Sequence, residues 1–225
     1  MKDNLLELVW HELGHCIMCM VTEKSVDEIV FRYNKFTSKE ILDHWTGHVS
    51  YSPAYNYEYC SKIENIEELS STILILLSGV AFQGYFKNMI ENGNLNLIMI
   101  FRGQSTGDKD RDMSDYGSIK KCVESYNKQN DSKLSYYEIE NFINLIFERI
   151  EKFLHNNFKQ ICEEVKVKVD SNLNKGSIKT CLVGEDLEGI IKQIKQLIDS
   201  DFKDVFLKLK EEIKLKIIDS TPSGV

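Results

Sequence analysis

Several things are scarce in this 225-residue chain, and each scarcity excludes something. There are only two prolines and twelve glycines, which leaves no room for long linkers, collagen-like repeats or low-complexity tracts. Basic residues are outnumbered, 28 Lys and Arg against 35 Asp and Glu, and the net charge of −7 provides no electrostatic attraction to nucleic acid. Long apolar runs are missing as well. The longest, Ile73 to Phe82, is about half of what a bilayer crossing needs and reads as a buried core helix, so no membrane span is expected. The first residues are acidic and polar and lead straight into a helical pattern, which is not the form of a secretory signal. Six cysteines are scattered along the chain, and the pair Cys16 and Cys19 has no second pair downstream to complete a metal or disulfide framework. They read as reduced core residues, and the expected location is cytoplasmic. No internal repeat is visible. What is present, 42% hydrophobic and 28% charged residues, is the composition of an ordinary globular protein.

Histidine is also scarce, five in all, yet two of them fall in His11-Glu12-Leu13-Gly14-His15. Residues four apart share a face of a helix, so both imidazoles can point at one metal ion. Glu12 cannot reach the same point but can reach a water bound there, the arrangement of a zinc hydrolase with two His ligands and one general base. The flanks support a helix: Asp3 or Asn4 can cap it, and Leu6, Val9, Trp10, Leu13, Ile17 and Met20 make it apolar nearly all round. A buried helix carrying two His and a Glu must satisfy those groups, and a metal does so.

The rest of the chain predicts an α+β fold, mostly helical, with a small β-hairpin or sheet and a C-terminal helical bundle. Val26–Tyr33 and Trp45–Tyr51 alternate with period two and are expected to pair antiparallel against the motif helix, with Pro53 ending the second strand. A long helix with a small-residue patch at Gly79 and Ala81 covers Ile66 to Met89 and stops at Asn92–Asn94. Leu95–Phe101 suits a short strand. A polar turn follows, and a helix begins within it, running to about Tyr126 with Met113, Tyr116, Ile119 and Val123 on its buried stripe. Ser135 and Glu138 make a capping box for one helix running past His155 toward Val169. Two further helices are expected at about 185–198 and 202–218. The division expected is a main domain over 1–195, an amphipathic helix over 196–219 packed on it, and a disordered tail over 220–225.

Catalytic zinc usually takes three protein ligands. The extended pattern with a third His is absent, because Met18 and Val21 stand where its Gly and His would be. Asp112 is the favoured third ligand: it falls one turn before Tyr116 and two before Ile119, on an apolar stripe where a carboxylate needs a counter-charge. Asp108 is the alternative. Asp110 and Asp115 read as a charge cluster favourable to the helix dipole. Glu64, Glu67 and Glu68 look like a solvated helix start, and His44 and His48 are rival imidazoles, His48 on the polar face of its strand.

At this point the chain resembles the peptidase domain of the FtsH-type AAA proteases. The matching stretches are Trp10-His-Glu-Leu-Gly-His15, Leu77-Ser-Gly-Val-Ala-Phe-Gln83, Thr106-Gly107 leading to Asp112-Met113, and Thr180-Cys-Leu-Val-Gly-Glu-Asp-Leu187. The resemblance spans about residues 5–195. It implies a stand-alone zinc-dependent endopeptidase whose third ligand is the Asp opening the later helix. It departs from the family in lacking an ATPase domain and membrane anchor, and in carrying Gln83 where the family usually has Glu. The expectation is therefore zinc held by His11, His15 and Asp112, with Glu12 as the base and the strand around Gly47, His48 and Val49 pairing with substrate. Substrates would be peptides or unfolded, flexible segments, and a separate ATPase or a homo-oligomer is the partner class left open. Two rivals stand beside it: a regulatory zinc protease of the ImmA/IrrE type, and a non-catalytic relative that binds a peptide or partner.

Overall fold

The computed structural model describes residues 4–34, 44–52, 65–91, 95–104, 114–154 and 156–221. Two helices form its centre. Helix α1 (Asn4–Val21) buries Leu5, Val9, Trp10, Leu13, Ile17 and Met18, consistent with its apolar circumference. It packs along α2 (Ile66–Glu91), a helix of 26 residues. By length and hydropathy α2 could cross a bilayer, yet 89% of its apolar window is buried inside the protein, as in a core helix. The pairing runs antiparallel: His15 meets Ile75, His11 meets Gln83, and Glu7 meets Lys87. Trp10 fills the next layer, stacked on Phe86 and edge-on to Phe158.

A three-stranded antiparallel sheet lies beside this pair, with β1 (Ser25–Asn34) between β2 (His44–Ser52) and β3 (Lys179–Leu182). The β1–β2 register sets Phe31 opposite Gly47 and Ile29 opposite Val49. Strand β2 is an edge strand and packs on α1. The third strand was not anticipated. It is four residues long, too short for a periodic signal, and only Thr180 and Leu182 turn inward.

Two expected elements differ from those observed. Leu97–Arg102 is a short helix, α3, where a strand was expected: Asn96 caps it by accepting from the Met99 N–H at 3.1 Å, and Leu97 and Phe101, four apart, are the buried pair. The helix expected from Ser135 toward Val169 is three: α5 (Tyr136–Glu140), α6 (Phe142–Phe153) and α7 (Asn156–Asn174). Leu154 leaves the helix in an extended conformation and buries its side chain, and Asn156 and Asn157 after it are poor helix formers. Helix α4 (Asp115–Asn130) lies between α3 and α5. Helices α8 (Gly184–Leu197) and α9 (Ser200–Asp219) close the chain. Helix α9 packs on α2 and α6 through residues that include Phe206, Leu209 and Ile213, and the Ser220 carbonyl accepts from Lys133 N–H at 2.8 Å.

Candidate metal centre

On α1 the residues Glu7, His11 and His15 form one i, i+4 row, and on α2 the facing row is Ile75, Gly79, Gln83 and Lys87. His15 Nδ1 lies 2.8 Å from the Ile75 carbonyl oxygen. A carbonyl only accepts, so Nδ1 carries a hydrogen, and in the neutral ring Nε2 presents a lone pair. His11 Nδ1 lies 3.3 Å from Gln83 Oε1, which also only accepts, so His11 Nε2 is likewise a lone pair. Gly79 sits beneath the two rings. A Cβ there would come within 2.5 Å of His15 Nε2 and 2.7 Å of His11 Cε1, so the histidines occupy the space a side chain would take.

The third arm comes from α4. Ser114 caps that helix by accepting from the Gly117 N–H at 3.1 Å, which makes Asp115 its first residue. Asp115 Oδ2 lies 3.0 Å from His11 Nε2 and 3.2 Å from His15 Nε2, and the two Nε2 atoms are 3.0 Å apart. With both rings neutral, three acceptor atoms would converge with no hydrogen between them, and Asp115 Oδ2 is buried without a hydrogen-bond donor. Such a triangle needs a positive charge at its centre, either a proton or a metal ion. The protein's own electrostatics say the same. Burial opposes charge on His15, but the Asp115 carboxylate, with Glu12 behind it, pushes its pKa up to about 9. Burial likewise opposes charge on Asp115, and the two imidazoles hold it well below the usual carboxylate range. Among the described residues, His11, His15 and Asp115 are the group able to hold a metal ion.

Glu12 stands beside the triangle. It is 2% exposed, and its Oε2 is buried without a hydrogen-bond partner. Burial raises its pKa, partly offset by His11 and His15. Gly47 of β2 presses on it: a Cβ at Gly47 would meet Glu12 Oε1 at 2.7 Å. The histidines, Glu12 and Asp115 line an open cleft of about 980 Å³, with β2 from Trp45 to Tyr51 along one side.

Of the residues singled out in the sequence, His11, His15, Glu12, Gly47 and Val49 therefore meet at one cleft. His48 also borders it, but its side chain is 57% exposed and lies 3.9 Å from Glu28 on β1. Asp112 and Asp108, the expected third ligand and its alternative, lie outside the described residues, as does Glu64. The carboxylate brought to the histidines is Asp115, whose sequence context is that of a helix-terminal charge cluster. A buried stripe that includes Asp112 requires a helix through that position, and the described helix starts at Asp115. The signal that could have found it is Ser114, a strong N-cap residue that makes the next residue the helix's first. Glu67 and Glu68 are occupied elsewhere, Glu67 with Lys210 and Lys214 and Glu68 with Lys24. Gln83 and Glu7 were not anticipated as neighbours of the site, because their place depends on how two helices pair. Comparison of the chain with models of known families, with curated proteins and with solved structures finds no match.

Proposed function

We propose that the protein is a zinc metallopeptidase that cuts peptides or unfolded protein segments. The observation that carries the reading is the triangle of His11 Nε2, His15 Nε2 and Asp115 Oδ2, with edges of 3.0, 3.0 and 3.2 Å, beside the buried carboxylate of Glu12. A tetrahedral ion with bonds of about 2.0–2.1 Å has ligand–ligand edges of roughly 3.3 Å and leaves a fourth corner open. Two imidazoles and a carboxylate are a donor set that suits zinc. In this reading Asp115, rather than Asp112, is the third ligand, and it is also the acid that opens the later helix, as the FtsH-type resemblance requires.

An ion held by His11, His15 and Asp115 would supply Lewis acidity, acidifying a water molecule and polarising a carbonyl. Glu12 Oε2, buried without a hydrogen-bond partner, would accept a proton from water at the centre and return it to the leaving nitrogen. Burial, by raising the Glu12 pKa, improves it as a base near neutral pH. The edge strand β2 offers backbone groups to an extended substrate along the cleft. Compact folded proteins do not present such a strand, so the substrates are peptides and flexible or unfolded segments. The buried thiols Cys16, Cys19, Cys122 and Cys162 suit a reducing, cytoplasmic setting.

The test combines metal analysis with cleavage of an unfolded protein and a fluorogenic peptide set. The wild type is expected to purify with one zinc per chain and to cleave. Glu12→Gln should keep the zinc and lose at least a hundredfold in kcat. Asp115→Ala should lose the zinc, whereas Asp112→Ala should keep it. Full cleavage by zinc-loaded Glu12→Gln sinks the mechanism.

A further inference from the structure

Beside the metal centre, three side chains form a chain of contacts that the reading above does not use. Gln83 Nε2 donates to Glu7 Oε1, and Lys87 Nζ lies 2.8 Å from the same oxygen. Gln83 Oε1 faces His11 Nδ1 at 3.3 Å. We propose that Glu7 is a positioning residue of the metal centre: by holding the nitrogen end of the Gln83 amide, it keeps the oxygen end on His11 Nδ1 and so keeps His11 Nε2 bare for the ion.

A side-chain amide has one accepting end and one donating end of nearly equal size, and either can face an imidazole nitrogen. Turned over, Gln83 would donate to His11 Nδ1, the imidazole hydrogen would move to Nε2, and an N–H would point where the ion belongs. A carboxylate cannot donate, so the one at Glu7 selects the amide orientation. Lys87 balances the Glu7 charge and holds it at the helix crossing. The contrast with His15 shows why only one ligand needs this device. His15 is oriented by the Ile75 backbone carbonyl, which cannot turn over, whereas His11 depends on a side chain that can. Glu7 is also placed for the task, one helical turn before His11 on the same face of α1, opposite Gln83 and Lys87 on α2.

The consequence for metal affinity rests on the metallopeptidase reading; the tautomer itself does not. The experiment measures zinc affinity by chelator competition and the 15N shifts of the His11 imidazole in metal-free protein. Glu7→Gln replaces the carboxylate by a group that can face Gln83 with either end. It should weaken zinc binding 10- to 100-fold, the usual effect of losing an outer-shell partner, and give His11 a mixture of tautomers. Adding Gln83→Glu to that variant moves the acceptor-only group next to His11, and should restore the Nδ1–H tautomer and bring affinity to within a few-fold of wild type. Glu7→Gln with wild-type affinity and an unchanged His11 tautomer overturns the proposal. So does a loss that the double variant fails to recover, since that makes Glu7 a simple packing contact. If the wild type binds no zinc, the metallopeptidase reading fails, and the imidazole shifts in the three proteins still decide the role of Glu7.

Discussion

Two glycines do at the residue scale what no side chain could. Gly79 lies in the middle of α2, where Ala would ordinarily stabilise a helix by up to about 1 kcal/mol. Here a methyl would sit 2.5 Å from His15 Nε2 and 2.7 Å from His11 Cε1, and neither ring can retreat without breaking its Nδ1 contact. Gly79→Ala should therefore lower zinc affinity by at least a hundredfold, read by chelator competition, despite its better helix propensity. Unchanged affinity would mean that the rings do not pack on α2 as described. Gly47 differs in kind, because the atom its Cβ would meet is Oε1, the far end of the flexible Glu12 side chain. The fold can yield there, and the carboxylate moves instead. Gly47→Ala is expected to keep both zinc and melting temperature while kcat drops roughly 10²-fold, the cost of misplacing a reacting group by about 1 Å. A loss of zinc would assign Gly47 to the metal shell rather than to the base.

At the scale of elements, the centre depends on where α4 begins. The Ser114 cap fixes that start, and the start fixes Asp115. Ser114→Ala should cost about 1 kcal/mol, a melting shift of roughly 2–4 °C for a chain of this size. It should also weaken zinc binding, because the helix frays at its ligand-bearing residue. A cap loss that lowers stability without touching zinc affinity would uncouple Asp115 from the helix start. The same dependence explains what was legible in the sequence. His11, Glu12 and His15 lie within five residues on one helix, so spacing alone sets their geometry. The alternation in β1 and β2 was legible for the same local reason. Asp115 was not, because four aspartates, at 108, 110, 112 and 115, fall in one short stretch of sequence and only the exact helix boundary singles one out. Leu97–Arg102 was ambiguous because a short apolar run fits a strand or a buried helix equally well, and β3 because four residues carry too little pattern. Glu7 and Gln83 meet across 76 positions, and only the antiparallel seating of α1 on α2 brings them together.

For the whole molecule, the centre joins α1 and α4 over a floor made by α2, so what occupies it bears on global stability and on how that stability depends on pH. In metal-free protein His15 binds its proton up to about 9, above the ordinary 6.5, so the folded state holds a proton that the unfolded chain gives up earlier. That contribution is fully present below about pH 6.5 and disappears as pH rises through 9. Its size is on the order of 3 kcal/mol, or roughly 6–12 °C in melting temperature. With zinc bound the sign reverses. His15 Nε2 must shed its proton to ligate, so zinc binding strengthens as pH rises over the same range. At a free zinc concentration a thousandfold above Kd, the ion adds about 4 kcal/mol. Melting curves taken between pH 6 and 9.5, in chelator and in saturating zinc, should therefore diverge, the first falling while the second holds or climbs. Parallel curves would mean that the positive charge the triangle requires is not exchanged between a proton and zinc, and His11, His15 and Asp115 would then be a buried ion-pair cluster rather than a metal centre.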